Sequence, residues 1–384
     1  MTIHLDAKDQ KPEISVILPC RNEEEALGFC IESIEQVFKE HVIDGEIVVS
    51  DSSTDSSVDI AKKYNVKIVK HDREGYGVAY LEGFKAADGN HIFMADADGT
   101  YNFKQIPEFL KYLNQGFDFV IGNRFKGKIE KGAMPWLHRH VGNPLLSFLF
   151  RIFFRSNLRD IHCGMRATTK NALDSLNLKT TGMEFASEMV IKTIKRDLKA
   201  KEIPTDYYVR RGESKLRSFA DGWRHLRFML LYSPLFLFLF PGVMLFILGL
   251  VSMAWLYLGN PKIFGLTFYY HPMFLSSVIM MLGYQMIFFS LFAKTYAITH
   301  LGEESPKFQL LFKYLTIEKA SIAGVLVALS GIAIYGVILA VWIQSDFGAM
   351  QKVKTSIVAL TLIALGAQTV FSSFMLSILG IREK

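Results

Sequence analysis

The stretch HIFMADAD, residues 91–98, decides how this chain is read. His91–Ala95 is a short, mostly apolar run that predicts a buried strand, and it ends in two carboxylates one residue apart, Asp96 and Asp98. Two acids on a tight turn after a strand offer oxygen ligands to a hard divalent cation and leave its other positions to a diphosphate. A D-x-D alone arises by chance in most chains of this length, so its weight comes from its surroundings. Working outward, strand patterns at Glu13–Pro19, Glu46–Ser50, Val66–Lys70 and Phe117–Gly122 alternate with helix patterns at Asn22–Phe38, Gly75–Ala87 and Gln105–Gln115. A further short helix pattern follows the polar turn Asp51–Ser57 and runs to about Tyr64. Such alternation predicts a mostly parallel α/β sheet covered on both faces, with its ligand crevice outside the carboxyl ends of the strands. Asp51 and the Asp96/Asp98 pair each fall at such an end.

The second half reads differently. Half of the 384 residues are apolar, 31 of them Phe, and they are unevenly spread. Four long stretches lack charge or nearly so: Leu235–Leu258, Pro272–Ala293, Ala320–Ile343 and Thr355–Gly380. Each matches the ~20 apolar residues that cross a bilayer core as helix, which excludes a purely soluble protein. The 230 or so residues before them exclude a bare channel or transporter bundle. The expected domains are an N-terminal extension 1–12, an α/β domain 13–216, an interfacial amphipathic helix 217–232 and a four-helix transmembrane domain 233–384. In 217–232, Arg217, Arg224 and Arg227 interleave with Phe219, Trp223, Leu226 and Phe228, a pattern for the membrane surface or for a core helix. Asn143–Phe154 is too short to span and reads as core or interface. Pro241-Gly242 marks a kink in the first span or a boundary within it. Gly324, Gly331 and Gly336 are candidates for helix packing. Three cysteines without CxxC spacing suit a reducing compartment. The polar opening MTIHLDAKDQKPE reads as no signal peptide.

Charge sharpens the picture. The total of 43 basic and 37 acidic residues, +6, conceals −10 over residues 1–122, +8 over 123–170 and +4 over 207–232. An acidic half suits a metal, and basic segments leading into a membrane helix suit phosphates at the bilayer surface; a solvated charged face is the plain alternative. His138, His140, His162 and Cys163 lack metal-site spacing, and Gly75-Tyr76-Gly77 lacks the third glycine of a dinucleotide fingerprint.

The ordered motifs SVILPCRNEE, IVVSDSSTDSS, MADADGTY, IGNRF, DIHCGMRA, GMEFASEM and RGESKL resemble, over residues 13–232, the family 2 glycosyltransferases of GT-A fold, most nearly the polyprenyl-phosphate type that makes dolichol-phosphate mannose or glucose. The resemblance implies a GT-A (Rossmann-like) α/β domain followed by a membrane domain of four spans. It also implies an inverting hexosyltransferase that moves sugar from a nucleotide-sugar to a polyprenyl phosphate. Pro19, Asn22, Glu23 and Asp51 would line the donor pocket, although Ser50 stands where the family often has a first Asp. Asp96 and Asp98 would hold Mg2+ or Mn2+ on the donor diphosphate. Arg124 would approach the acceptor phosphate, with Arg139 or His140 as a second contact. Asp160, Gly164 and Arg166 match a family Asp-x-x-x-Gly-x-Arg stretch. Glu188 falls where the family has a carboxylate near the sugar, and Arg210, Arg211, Ser214 and Lys215 match the segment closing over the phosphates. Asp98, Arg124, Glu188 and Lys215 are thus the expected catalytic set.

A physical argument runs alongside. Leaving diphosphate needs a metal and a basic clamp; a lipid phosphate, already ionised at neutral pH, needs positioning by Arg and Lys rather than a general base. Glu184 or Glu188 is the candidate base for a hydroxyl acceptor, or else a structural helix carboxylate. The expected partners are the donor, the polyprenyl phosphate and the bilayer, with self-association through the spans and without nucleic acid. The catalytic domain and both termini are expected in the cytosol, at the inner membrane if the chain is bacterial; Lys352 and Lys354, on the far side, run against the positive-inside pattern. Two alternatives stand: a processive polysaccharide synthase, whose Gln-x-x-Arg-Trp segment is missing here, and a non-catalytic membrane protein that binds sugar nucleotides.

Overall fold

A computed structural model of the chain describes residues 11–212, 218–300, 316–348 and 352–380. The chain divides into two compact units, Met1–Tyr232 and Ser233–Lys384.

The first unit is a seven-stranded sheet of order β3-β2-β1-β4-β6-β5-β7. The strands are β1 (Ile14–Cys20), β2 (Gly45–Asp51), β3 (Lys67–Lys70), β4 (His91–Met94), β5 (Phe119–Asn123), β6 (Arg166–Thr169) and β7 (Ala200–Pro204). β1 pairs in parallel with β2 and β4, and β2 with β3. The exception is β6, antiparallel to both of its neighbours. The helices are α1 (Leu27–His41), α2 (Ser57–Ala61), α3 (Tyr76–Ala86), α4 (Ile106–Asn114), α5 (Asn143–Phe154), α6 (Lys170–Leu176), α7 (Phe185–Lys195) and α8 (Ser218–Leu231). The central strands read as near-continuous apolar runs because both faces are covered: Val16, Ile17, Leu18, Ile92, Phe93 and Ile121 are fully buried.

Two boundaries differ from the periodicity, each for a local reason. The first helix begins at Leu27, not Asn22, because residues 22–26 form a turn tied to the loop after β2. There Asn22, at φ 53°, accepts from the Thr54 amide at 2.8 Å, and its own amide donates to Ser53 Oγ at 2.8 Å. β2 includes Asp51 as its last residue, so that carboxylate leaves from the strand itself. Past residue 122 the alternation is invisible because β6 is the four-residue RATT and runs against the parallel order.

In the second unit four helices are long and apolar enough to cross a membrane: Leu235–Leu258, His271–Thr299, Ile317–Gln344 and Val353–Gly380. The first opens with a π-turn, Leu235–Leu239, that runs directly into α-helix from Phe240, and the widened turn precedes Pro241, whose N–H is missing from the ladder. Glycines let the helices meet: a Cβ on Gly283 would lie 2.3 Å from the Phe246 nitrogen, on Gly324 2.8 Å from the Gly366 carbonyl, and on Gly331 2.6 Å from the Ala359 carbonyl. Gly336 has no atom within 4 Å of that position. Hydroxyls tie spans two and four, Ser277 to Thr361 at 2.6 Å and Tyr284 to Thr369 at 2.7 Å, and spans three and four, Ser321 to Ser373 at 2.7 Å. Lys354 donates to the Leu256 and Gly259 carbonyls, at 2.5 and 2.8 Å, and to Asn260 Oδ1 at 2.8 Å. It therefore caps the end of the first span, which gives this far-side cation a structural use. Gly283→Leu is expected to lower the melting temperature of the detergent-solubilised chain by several degrees, while Gly336→Leu leaves it within about one; equal shifts would refute this packing.

Candidate active site

The carboxyl ends of β2 and β4 bring three acids, Asp51, Asp96 and Asp98, to one edge of the sheet. Asp51 is fully buried: Oδ2 accepts from the Ser53 amide at 3.2 Å, while Oδ1 has no protein partner. A buried, unpartnered acceptor is costly unless a ligand donor meets it, so this atom suits an N–H or O–H of a bound molecule.

Beyond β4, Asp98 Oδ1 accepts from the Thr100 amide and hydroxyl at 3.0 and 2.6 Å, which fixes the turn. Asp98 Oδ2 lies 3.2 Å from Arg210, whose other terminal nitrogen is paired with Glu23. The Arg211 amide donates to the Asp98 carbonyl at 3.0 Å, and its guanidinium lies 3.7 Å over the Phe29 ring. Asp96 Oδ1 accepts from the Tyr76 hydroxyl at 3.2 Å. Its Oδ2 faces the notch at Gly164, where a Cβ would stand only 2.7 Å away. Burial and then the Asp98 charge push Asp96 up to about 7, against the opposing effect of Tyr76, Arg210 and Arg124. Two crowded carboxylates of this kind need positive charge nearby.

Arg124 follows β5 and is almost fully buried. It grips Asp160 with both arms, Nε to Oδ2 and Nη2 to Oδ1, each at 2.8 Å, and its amide adds a third bond at 3.0 Å. Burial works against the Arg124 charge, but Asp160 outweighs it, so the cation is permanent. Arg166 is also buried, with its guanidinium on the carbonyls of Ile161, Cys163 and Ala186 at 2.7–2.8 Å.

Glu188, expected in the catalytic set or else as a structural helix carboxylate, is tied to the fold by its own hydrogen bonds. Its carboxylate accepts from the Lys179 amide, the Thr180 amide and hydroxyl, and Lys192 Nζ at 2.6–3.1 Å. These four donors fill its acceptor capacity. Burial would raise its pKa, yet Lys192, Thr180 and the amides together bring it below the ordinary 4.5. What Glu188 does is hold the 179–181 loop. That loop lies against the start of α3: Cβ atoms on Gly75 (φ 141°) and Gly77 would each fall 2.3 Å from the Thr181 and Thr180 carbonyls. α3 then presents Tyr76 to Asp96. Glu188 is thus a positioning residue acting through a loop.

Arg139 and His140 lie on an exposed π-turn, 138–142, where the His140 ring stacks on Trp136 at 5.1 Å. The contacts around Asp96 and Asp98 do not include them. Pro19 closes β1, and Asn22 and Glu23 stand on the adjoining turn. Ser214, Lys215 and Arg217 lie outside the described residues, as does the Phe219 side chain. Tyr76, Thr100 and the Asp160–Arg124 pairing are not among the residues that the sequence marks. The signal nearest to Tyr76 is the Gly75-Tyr76-Gly77 motif around it.

Among the described residues no three His, Cys, Asp or Glu side chains converge to hold a metal. The Asp96/Asp98 pair is then a partial set of the kind that shares a divalent ion with substrate phosphates. The notch at Gly164 and the charge crowding at Asp96 fit such an ion.

A mostly parallel sheet with one reversed strand, and a carboxylate pair at its carboxyl edge, is the arrangement expected of the GT-A architecture. Residues 15–176 match the family model "Glycosyl transferase family 2", and residues 291–380 match "Glycosyltransferase family 2 C-terminal transmembrane region". A Haloferax volcanii relative, low-salt glycan biosynthesis hexosyltransferase Agl6, is 36% identical over 375 residues, 97% of this chain and 90% of its own. The dolichyl-phosphate hexose transferase of the same organism is 33% identical over 215 residues, 55% of this chain and 89% of its own. A distant likeness among solved structures is glucosyl-3-phosphoglycerate synthase from Mycobacterium tuberculosis, in complex with Mn2+, UDP and phosphoglyceric acid. It is 21% identical over 58% of this chain and 78% of its own, with a TM-score of 0.47. The chain belongs to glycosyltransferase family 2.

Glu188→Ala is expected to cost about 1–3 kcal/mol of stability by leaving the Lys179 and Thr180 donors unpaired, while Lys192 keeps the Asn177 carbonyl, with any folded enzyme keeping most of its turnover. Because the Glu188 pKa is lowered on folding, its contribution is complete above pH 4.5 and is lost as pH falls through the lower folded value. A thermal melt with normalised turnover checks this; full loss of turnover in a well-folded variant would return Glu188 to the chemistry.

Proposed function

We propose that this enzyme transfers a hexose, with inversion, from a nucleotide-sugar to a polyprenyl phosphate on the cytosolic face of a membrane. The reading is carried by one juxtaposition: the Asp96/Asp98 pair with Arg210 on Asp98 and the Arg124 charge close enough to act on Asp96. An anionic diphosphate with a shared divalent ion and an anionic acceptor both suit such a site. The use of Glu188 in the fold supports an acceptor that needs no general base, as an ionised phosphate does not. The printed name of the second Haloferax relative points the same way.

In this reading Asp96 and Asp98 hold Mg2+ or Mn2+, which when bound neutralises the leaving diphosphate. Asp51 Oδ1 takes a donor group of the nucleoside, beside Pro19, Asn22 and Glu23. Arg210 turns from Asp98 toward the phosphates, with Arg211 beside it, and the family resemblance assigns Ser214 and Lys215 to the same segment. Arg124, oriented by Asp160, and Arg139 or His140 meet the acceptor phosphate. Four spans return the chain to the side of the first unit, taken as cytosolic.

Asp98→Asn is expected to lower kcat by roughly 10²–10³-fold or more and to weaken Mn2+ binding measured by electron paramagnetic resonance with nucleotide present. Unchanged turnover in metal-containing assays would remove the assigned role. Arg124→Ala is expected to raise the acceptor KM more than the donor KM; equal rises in a variant with a normal melt would place Arg124 elsewhere. A matrix of nucleotide-sugars against polyprenyl phosphates, read by mass spectrometry of the glycolipid, tests the reaction itself. Polymer from donor alone, or binding without transfer, overturns it.

A further inference from the structure

The turn that leads into β6, residues 160–165, pairs most of its polar groups within the fold. Asp160 grips Arg124, and its own amide donates to Glu202 at 2.9 Å. The Ile161 and Cys163 carbonyls accept from Arg166, each at 2.8 Å. The Gly164 amide donates to the Tyr101 hydroxyl at 2.7 Å, and the Met165 carbonyl accepts from the Gly122 amide at 2.9 Å. The ring of His162 stands apart from this pattern. Both of its nitrogens are buried, and neither has a hydrogen-bond partner among the described residues. A neutral imidazole carries one N–H and one lone pair, and a buried polar group left unpaired is costly. The ring therefore suits a group that binds. Its place agrees, because the turn runs from the partner of Arg124 at Asp160 to the Gly164 notch against Asp96.

Charge says which group. Arg124 and Arg166 are both buried, and arginine stays ionised in proteins. Arg124 is bonded to Asp160, whereas the guanidinium of Arg166 bonds to the carbonyls of Ile161, Cys163 and Ala186 and to no carboxylate among the described residues. The surroundings of the turn thus hold a buried positive excess, which a bound anion offsets. Burial first, then His225, Arg124 and Arg166, hold the His162 pKa well below the ordinary 6.5, so its ring is neutral. It offers an N–H to an anion without adding another buried charge. His225, on α8, packs edge to face with this ring at 4.4 Å between centroids, and its Nδ1 lies 2.8 Å from Ser187 Oγ on α7. That contact fixes the plane of the His162 ring from behind.

We infer that His162 is a phosphate-binding residue of the acceptor site, its ring N–H donating to an oxygen of the acceptor phosphate beside Arg124. The inference rests on the phosphate-acceptor reading and adds to it a neutral, directional donor. Arg124 supplies attraction; His162 supplies orientation.

The test titrates farnesyl phosphate, a short isoprenyl phosphate, into the detergent-solubilised full chain by calorimetry. Its comparison is UDP or GDP, whichever the unmodified protein binds with Mn2+. His162→Leu is expected to weaken farnesyl phosphate about tenfold or more and the nucleotide by less than about twofold. His162→Gln, which keeps an N–H, is expected to regain part of that loss. In the unmodified protein with nitrogen-15-labelled histidine, the His162 ring resonances, assigned by their loss in His162→Gln, are expected to shift with farnesyl phosphate and not with farnesol. Unchanged farnesyl phosphate affinity in a folded His162→Leu overturns the inference. So do unmoved ring resonances, which decide the matter if the leucine variant does not fold. Equal weakening of both ligands marks a structural role, and weakening of the nucleotide alone assigns the ring to the donor diphosphate; either result overturns the acceptor contact. Binding that Arg124→Ala weakens and His162→Leu does not removes His162 and leaves the acceptor reading standing. No binding of farnesyl phosphate by the unmodified protein removes both.

Discussion

Like charges held together at the edge of the sheet are the constraint around which the first unit is arranged. Asp96 and Asp98 sit one residue apart at the end of a buried strand, where burial and the Asp98 charge both disfavour ionisation of Asp96. The structure answers with cations on different elements: Arg210 from the segment after β7, and Arg124 from the end of β5. Each is oriented by an acid of its own, Glu23 and Asp160. Positive charge is thus delivered in fixed geometry, and neither arginine depends on the Asp96/Asp98 pair alone to stay ionised.

The positioning extends outward through contacts that look unrelated to chemistry. Glu188 holds a loop, the loop seats against two glycines, and the helix they open supplies the hydroxyl on Asp96. Removing a carboxylate from the list of reacting groups therefore does not remove it from the site. It changes the distance over which it acts, and it explains why a buried acid with four donors belongs in a motif that reads as catalytic.

How much of this was legible follows from which signals are local. The parallel core was readable because each central strand is buried on both faces and must be apolar, and the spans because a bilayer demands about 20 apolar residues. The acids were readable from their place after strands. β6 was not, since four residues of RATT carry no period and their antiparallel place depends on two strands far away in sequence. Nor was the Arg124–Asp160 pair, made across 36 residues. Nor were the donors to Glu188, since they lie on a loop whose path the sequence does not announce. The sequence of α5 reads as core or interface, and the structure buries one face and leaves the other exposed.

The two units are held together by different forces, and their response to temperature follows from that. The first buries apolar surface away from water, so its unfolding carries a large positive heat-capacity change and its stability passes through a maximum and weakens on cooling. The second closes on Gly283, Gly324 and Gly331 and on hydroxyl pairs such as Ser277 with Thr361. In lipid, van der Waals packing and hydrogen bonds of this kind replace the exclusion of water. Its stability therefore has less of that curvature, and cooling below the first unit's maximum weakens that unit more than the bundle. The two units melt as separate transitions, and a substitution in one is read on that unit's own transition.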